Sequence, residues 1–99
     1  MANVPYVPKD RLAEFCRLHQ IQELALFGSA LGASFREESD IDLLVTFQPE
    51  ARVGFLTLGR VQRGLEELFG RRVDLVPKGG LKPVIRDSVL STARVLYAA

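Results

Sequence analysis

Two aspartates one residue apart, in the stretch Ser39-Asp40-Ile41-Asp42-Leu43-Leu44-Val45, are the first feature with chemical content. In a strand, alternate side chains share a face, so Asp40 and Asp42 point one way and Ile41 and Leu43 the other. Carboxylates side by side repel, and one holds its proton unless a cation neutralises the pair. The apolar flank of Ile41, Leu43, Leu44 and Val45 worsens that repulsion by lowering the local dielectric. A hard divalent ion resolves it. Magnesium takes oxygen ligands, typically one or two carboxylates completed by substrate phosphates and water. Two such ions about 3.5–4 Å apart can stabilise both the attacking and the leaving oxygen of a phosphoryl transfer.

The dipeptide alone leaves other readings open. Ser39 to Asp42 could be a capping box, although the β-branched and aromatic residues and Pro49 that follow disfavour a helix. An EF-hand fails, because Leu44 and Val45 stand where a further oxygen ligand and a glycine are needed. Two unrelated surface aspartates remain an alternative. Asp74 adds weight, since it sits mid-strand in Arg72-Val73-Asp74-Leu75-Val76, where an acid is a poor strand former. Paired beside the first acidic strand, it would complete a cluster of three carboxylates and be the natural general base for an attacking hydroxyl. An ion pair with Arg71 or Arg72 is its competing role. Gly28-Ser29 closes a short apolar run; glycine lets a phosphate approach the backbone, helix-start N–H groups can hold the anion, and the Ser29 hydroxyl adds a donor. A plain turn accounts for the same dipeptide. No Walker motif and no Gly-x-Gly-x-x-Gly fingerprint occurs.

The elements that must hold these residues follow from periodicity. Residues 1–8, with Pro5 and Pro8, form an extended entry. Leu12, Phe15, Cys16 and Leu18 or His19 are spaced for a helix at about 9–19. Asp10 suits its start, and His19, as a cation, its end. Ile21 to Phe27 reads as a buried strand, Ala30 to Phe35 as a short helix, and Asp40 to Phe47 as a second strand. Leu58, Val61, Leu65, Leu68 and Phe69 make one helical face that Gly70 stops. Arg72 to Val76 is a third strand closed by Pro77, and Lys78-Gly79-Gly80 is a loop in which a phosphate contact stays open. Leu81 to about Tyr97 is expected to be helical, with Pro83 in the first turn and a break near Ser91-Thr92. Tyr97 is expected to pack. The result is an α/β (α+β) domain, a small mixed sheet flanked by helices, spanning residues 1–99 as one unit.

Bulk properties bound the function. Ninety-nine residues, 47% hydrophobic and 25% charged, describe one ordinary globular domain with a small core, a size often helped by a partner. A net charge of +1 gives no general pull toward nucleic acid, so none is expected as a ligand. A lone cysteine, Cys16, excludes an internal disulfide, is expected to be buried, and fits a reducing cytoplasm. No apolar run is long enough to span a membrane, and the N-terminus does not read as a signal peptide.

Taken together, the stretch from Gly28-Ser29 through Arg36-Glu37-Glu38-Ser39 to Asp40-Ile41-Asp42-Leu43-Leu44-Val45 closely resembles the signature of the DNA polymerase β-like nucleotidyltransferase superfamily. That signature is Gly-Ser, a short helix, an Asp-x-Asp strand, and a third acid on a later strand, where Val73-Asp74-Leu75-Val76 stands. Over nearly its whole length the chain looks most like the minimal nucleotidyltransferase branch. The resemblance implies a polymerase β-like fold and transfer of AMP from ATP to an acceptor hydroxyl with loss of pyrophosphate. It implies that Asp40, Asp42 and Asp74 carry magnesium, as two ions with ATP bound. It also implies that Asp74 helps deprotonate the acceptor and that Gly28 and Ser29 hold the triphosphate. In one respect the chain departs from the family: Ala30 and Leu31-Gly32 stand where many members have arginine or tyrosine and then a second basic residue. Arg36 is the candidate substitute, with an exposed, solvated arginine as its competing reading.

The chain has no room for an acceptor domain, so the acceptor is expected on another protein, with homo- or hetero-oligomers both open. In the resembling branch the partner is a HEPN-domain toxin, a ribonuclease silenced by AMP on a tyrosine, and the nucleotidyltransferase is the antitoxin. A non-catalytic module that neutralises a HEPN partner by covering it is the competing class. Transfer to a small molecule such as an aminoglycoside is disfavoured by the missing acceptor domain.

Overall fold

A computed structural model describes residues 7–27 and 40–99. The expected short helix at 30–35, with Gly28, Ser29 and Arg36, lies outside the described residues. Helix α1 (Lys9–Leu18) turns Leu12 and Cys16, one helical turn apart, into the core. Gln20, at φ +57°, makes the sharp turn into strand β1 (Ile21–Phe27). Strand β2 (Ile41–Phe47) leads through residues 48–54 to helix α2 (Phe55–Phe69). Gly70 ends α2 in the left-handed conformation at φ +69°, its N–H returning to the Glu66 carbonyl, as the sequence predicts. Strand β3 (Val73–Pro77), a 3-10 turn (Lys78–Gly80), helix α3 (Pro83–Thr92) and strand β4 (Arg94–Ala98) complete the order.

The four strands form one mixed sheet in the order β3-β2-β1-β4. β1 pairs antiparallel with β2 and with β4, while β2 and β3 run parallel, as the α2 crossover between them requires. The mixed α+β class agrees with the expectation from sequence. The C-terminal segment does not: the helix expected to run to about Tyr97 stops at Thr92, and residues 94–98 pair with β1 instead. The apolar run Val95-Leu96-Tyr97 meets the open edge of β1, whose backbone groups need a partner. Tyr97 is half-buried there against the main core.

That core lies on one face of the sheet, where α1 and α2 bring Leu12, Cys16, Val61 and Leu65 against Leu24, Leu26, Ile41, Leu43, Val45 and Val73. Among the described residues the opposite face buries only Ala25, Leu44 and Leu81, with Val76, Val89 and Leu90 packed at the side. α3, which covers this second face, has no buried residue of its own.

Candidate active site

The acids belong to the thinly covered face. Alternation along β2 and β3 puts Asp42 and Asp74 on the side that Leu44 and Val76 share with Leu81. Asp42 stands directly opposite Asp74 in the parallel register and opposite Phe27 of β1 on its other flank. Phe27 is the last residue of β1. The Ile41 N–H bonds to the Arg72 carbonyl at 2.9 Å, which locks the entrances of β2 and β3 together.

Asp42 is half-buried, and Asp40, one residue before β2, and Asp74 are exposed. Strand pairing thus brings two of the three expected carboxylates onto neighbouring positions. Among the described residues, no three histidine, cysteine, aspartate or glutamate side chains gather closely enough to hold a metal ion by themselves. A pair of carboxylates on adjacent strands is nevertheless the donor set that suits magnesium, which fills its remaining positions with phosphates and water.

Other residues take different parts from those the sequence suggests. Lys78 lies four residues beyond Asp74, at the far end of β3, roughly 13 Å along the strand. Its Nζ sits 3.6 Å from Glu23 Oε1, an exposed ion pair that directs it to β1 and away from the acids. His19 follows the end of α1 and lies against the Phe15 ring, with centroids 4.3 Å apart and the planes tilted by 40°. Burial against that ring, and then the charge of Arg60, lower its pKa, so the helix-end cation expected from sequence is disfavoured. Cys16 is fully buried, as expected, and burial pushes its thiol up to about 12.

Sequence reasoning passes over Glu66. Its Oε2 accepts the Val73 backbone N–H at 3.0 Å, one residue before Asp74. The available signal is electrostatic. Glu66 and Glu67 sit near the C-terminal end of α2, where the helix dipole disfavours negative charge and no basic residue offsets it.

A mixed four-stranded sheet, crossed over by α2 and carrying paired aspartates at the entrances of adjacent parallel strands, is the frame of a nucleotidyltransferase. The chain belongs to that family: the model of the nucleotidyltransferase domain matches residues 9–96. It is 40% identical to the protein adenylyltransferase MntA of Thermococcus cleftensis over 70 residues, which cover 71% of this chain and 69% of the relative. A solved structure described as a candidate minimal nucleotidyltransferase superposes with a TM-score of 0.70 at 39% identity, covering 86% of this chain and 85% of the other. The fold also matches, with a TM-score of 0.64 at 20% identity and coverage of 92% and 70%, a chain in the complex of a tri-AMPylated Shewanella oneidensis HEPN toxin with an MNT antitoxin. Among the described residues no helix is long and apolar enough to cross a membrane.

Proposed function

We propose that this chain transfers AMP from ATP to a hydroxyl of a partner protein, a tyrosine of a HEPN ribonuclease toxin, and thereby acts as the antitoxin of the pair. The observation that carries the reading is the register of Asp42 against Asp74 on one face of the sheet. The likeness to an MntA protein adenylyltransferase, and to a fold found in a complex with an AMP-modified HEPN toxin, supports the substrate and the partner.

In this reading Asp40 and Asp42 hold magnesium, with Asp74 completing the site. The metal, when bound with ATP, supplies positive charge to the triphosphate and to the pyrophosphate that leaves. Asp74 is exposed and one strand removed from Asp42, which leaves it free to take the proton of the acceptor hydroxyl. The acceptor oxygen bonds to the α-phosphorus, the bond from that phosphorus to the bridging oxygen of the pyrophosphate breaks, and pyrophosphate departs. Gly28 and Ser29 hold the triphosphate, a role that rests on the sequence resemblance, and Arg36 substitutes for the cationic contact that Ala30 and Leu31-Gly32 lack. The buried free thiol of Cys16 suits a cytoplasmic protein.

The test is incubation with labelled ATP, magnesium and a HEPN-domain protein encoded beside this gene, read by intact mass. AMP should appear on the HEPN protein and should vanish with Asp42→Asn or with chelator. One sequence feature favours a second reading. Ala30, Leu31 and Gly32 stand where basic residues commonly follow Gly-Ser, which suits a module that neutralises by covering its partner. Neutralisation that survives Asp42→Ala would establish that reading and end the catalytic one.

A further inference from the structure

We propose that Glu66 is a positioning residue that pins the register of β3 and so fixes Asp74 opposite Asp42. The inference rests on the catalytic reading of Asp74 given above, but its structural half can be judged without it.

Among the described residues β3 is an edge strand of five residues with β2 as its single strand neighbour. Amide groups alternate in direction along a strand. The Arg72 carbonyl receives the Ile41 N–H, so it points toward β2, and the Asp74 N–H points the same way. The Val73 N–H therefore points outward, to the side where no strand lies among the described residues. Glu66 supplies the missing acceptor there: its Oε2 receives that N–H at 3.0 Å in a part-buried setting. The same residue's backbone carbonyl receives the N–H groups of Gly70, at 2.8 Å, and Arg71, at 3.3 Å. One residue of α2 thus binds the connection at three points and delivers the chain to Val73.

What this prevents is a slip. Side chains on a strand alternate with a period of two, so moving β3 by one residue against β2 turns Asp74 to the opposite face. A short edge strand has little else to resist that move. Val73 is its one buried side chain, and Leu75, Val76 and Pro77 are only half-buried. Glu66 also sits where a carboxylate is unfavourable for the helix that carries it, near the negative end of α2. A local cost of that kind is consistent with a role outside the helix, and the Val73 N–H is where the side chain makes that contact.

The experiment compares the native chain with Glu66→Gln, Glu66→Asp and Glu66→Ala. Gln keeps an acceptor oxygen at the same reach; Asp keeps the charge and loses the reach; Ala loses both. The first readout is amide hydrogen exchange at Val73, with the inter-strand NOEs between residues 42 and 74, measured by NMR. The second is kcat and KM for ATP in AMP transfer to the HEPN-domain protein. Ala and Asp should speed Val73 exchange about tenfold or more, as loss of one charge-assisted hydrogen bond requires. They should lower kcat by a similar factor with KM for ATP within about twofold, and Gln should restore both. Native exchange and NOEs in Glu66→Asp would overturn the inference, and so would a Gln variant as impaired as Ala. If Glu66→Ala fails to fold, the Asp and Gln pair decides. If the native chain transfers no AMP, the catalytic reading fails, while the exchange and NOE data still settle whether Glu66 sets the register.

Discussion

Asp42 and Asp74 have different surroundings, and their substitutions should fail differently. Asp42 is half-buried between Phe27 and Asp74 and follows buried Ile41, whereas Asp74 is exposed on the edge strand. Asp74→Asn should cut kcat about 100-fold, the usual range for losing a general base, with KM for ATP little changed. Steady-state kinetics of AMP transfer by the native chain and the variant check this. Cys16 gives a second residue-scale expectation. With its thiol pushed up to about 12 by burial, thiolate is negligible at pH 8, so iodoacetamide should label the denatured chain and spare the native one. Complete labelling of native protein within minutes would contradict the buried placement. His19 sets a pH dependence. Its folded pKa lies below the ordinary value of 6.5, first through burial and then through Arg60. The unfolded chain therefore takes up the proton first as pH falls. The stability tied to neutral His19 is complete above about pH 6.5 and declines as pH drops from there toward the folded value. His19→Gln should flatten that part of a denaturation midpoint against pH.

At the scale of elements, α1 and α2 meet through a missing side chain. A Cβ on Gly64 would lie 2.6 Å from Phe15 Cε2 and 2.8 Å from Cζ. Alanine there would gain about 1 kcal/mol of helix propensity. It would also displace a ring already held by its contact with His19, and overpacking of that kind costs about 1–3 kcal/mol. Gly64→Ala should therefore lower Tm by a few degrees, and Phe15→Leu in the same chain should recover part of the loss. Such a contact is invisible in the sequence, where Gly64 is only a weak position inside a helical pattern. The strands that carry the acids were legible because Gly28, Pro49 and Pro77 bound short apolar runs, and α2 because its apolar face keeps one helical stripe to Gly70. The C-terminal strand was not. Arg94-Val95-Leu96-Tyr97-Ala98 follows a helix after the single residue Ala93, and its apolar residues fit either period over so short a span. The free edge of β1 decides between them, which is tertiary information. For the same reason the Asp42–Asp74 pairing could be stated from sequence only as a condition on strand order, and Glu66 had no motif to announce it.

The whole molecule is built unevenly about its sheet, and the acids lie on the weaker side. Between the sheet and the pair α1 and α2, side chains such as Leu24, Leu26, Leu43, Val61 and Leu65 are wholly buried. On the other side α3 rests through half-buried Val89 and Leu90 and leaves Val84 92% exposed, so little apolar area holds it down. Truncating the two sides should cost unequally. Leu65→Ala should lose about 2–5 kcal/mol, the range for a fully buried leucine, and Val89→Ala about 1 kcal/mol or less. Chemical denaturation measures both. The same asymmetry predicts two tiers of amide exchange. Leu24, Leu26 and Leu43 should exchange only through global unfolding, with rates that follow denaturant steeply. The amides of α3 should open locally at lower free energy and with weak denaturant dependence. A macromolecular acceptor needs an approach to Asp42 and Asp74, and a helix that covers their face among the described residues and opens without unfolding the sheet would widen it. If α3 instead exchanged in step with β1 and β2, the sheet and its cover would be one cooperative unit, and access to the acids could not depend on local opening of α3.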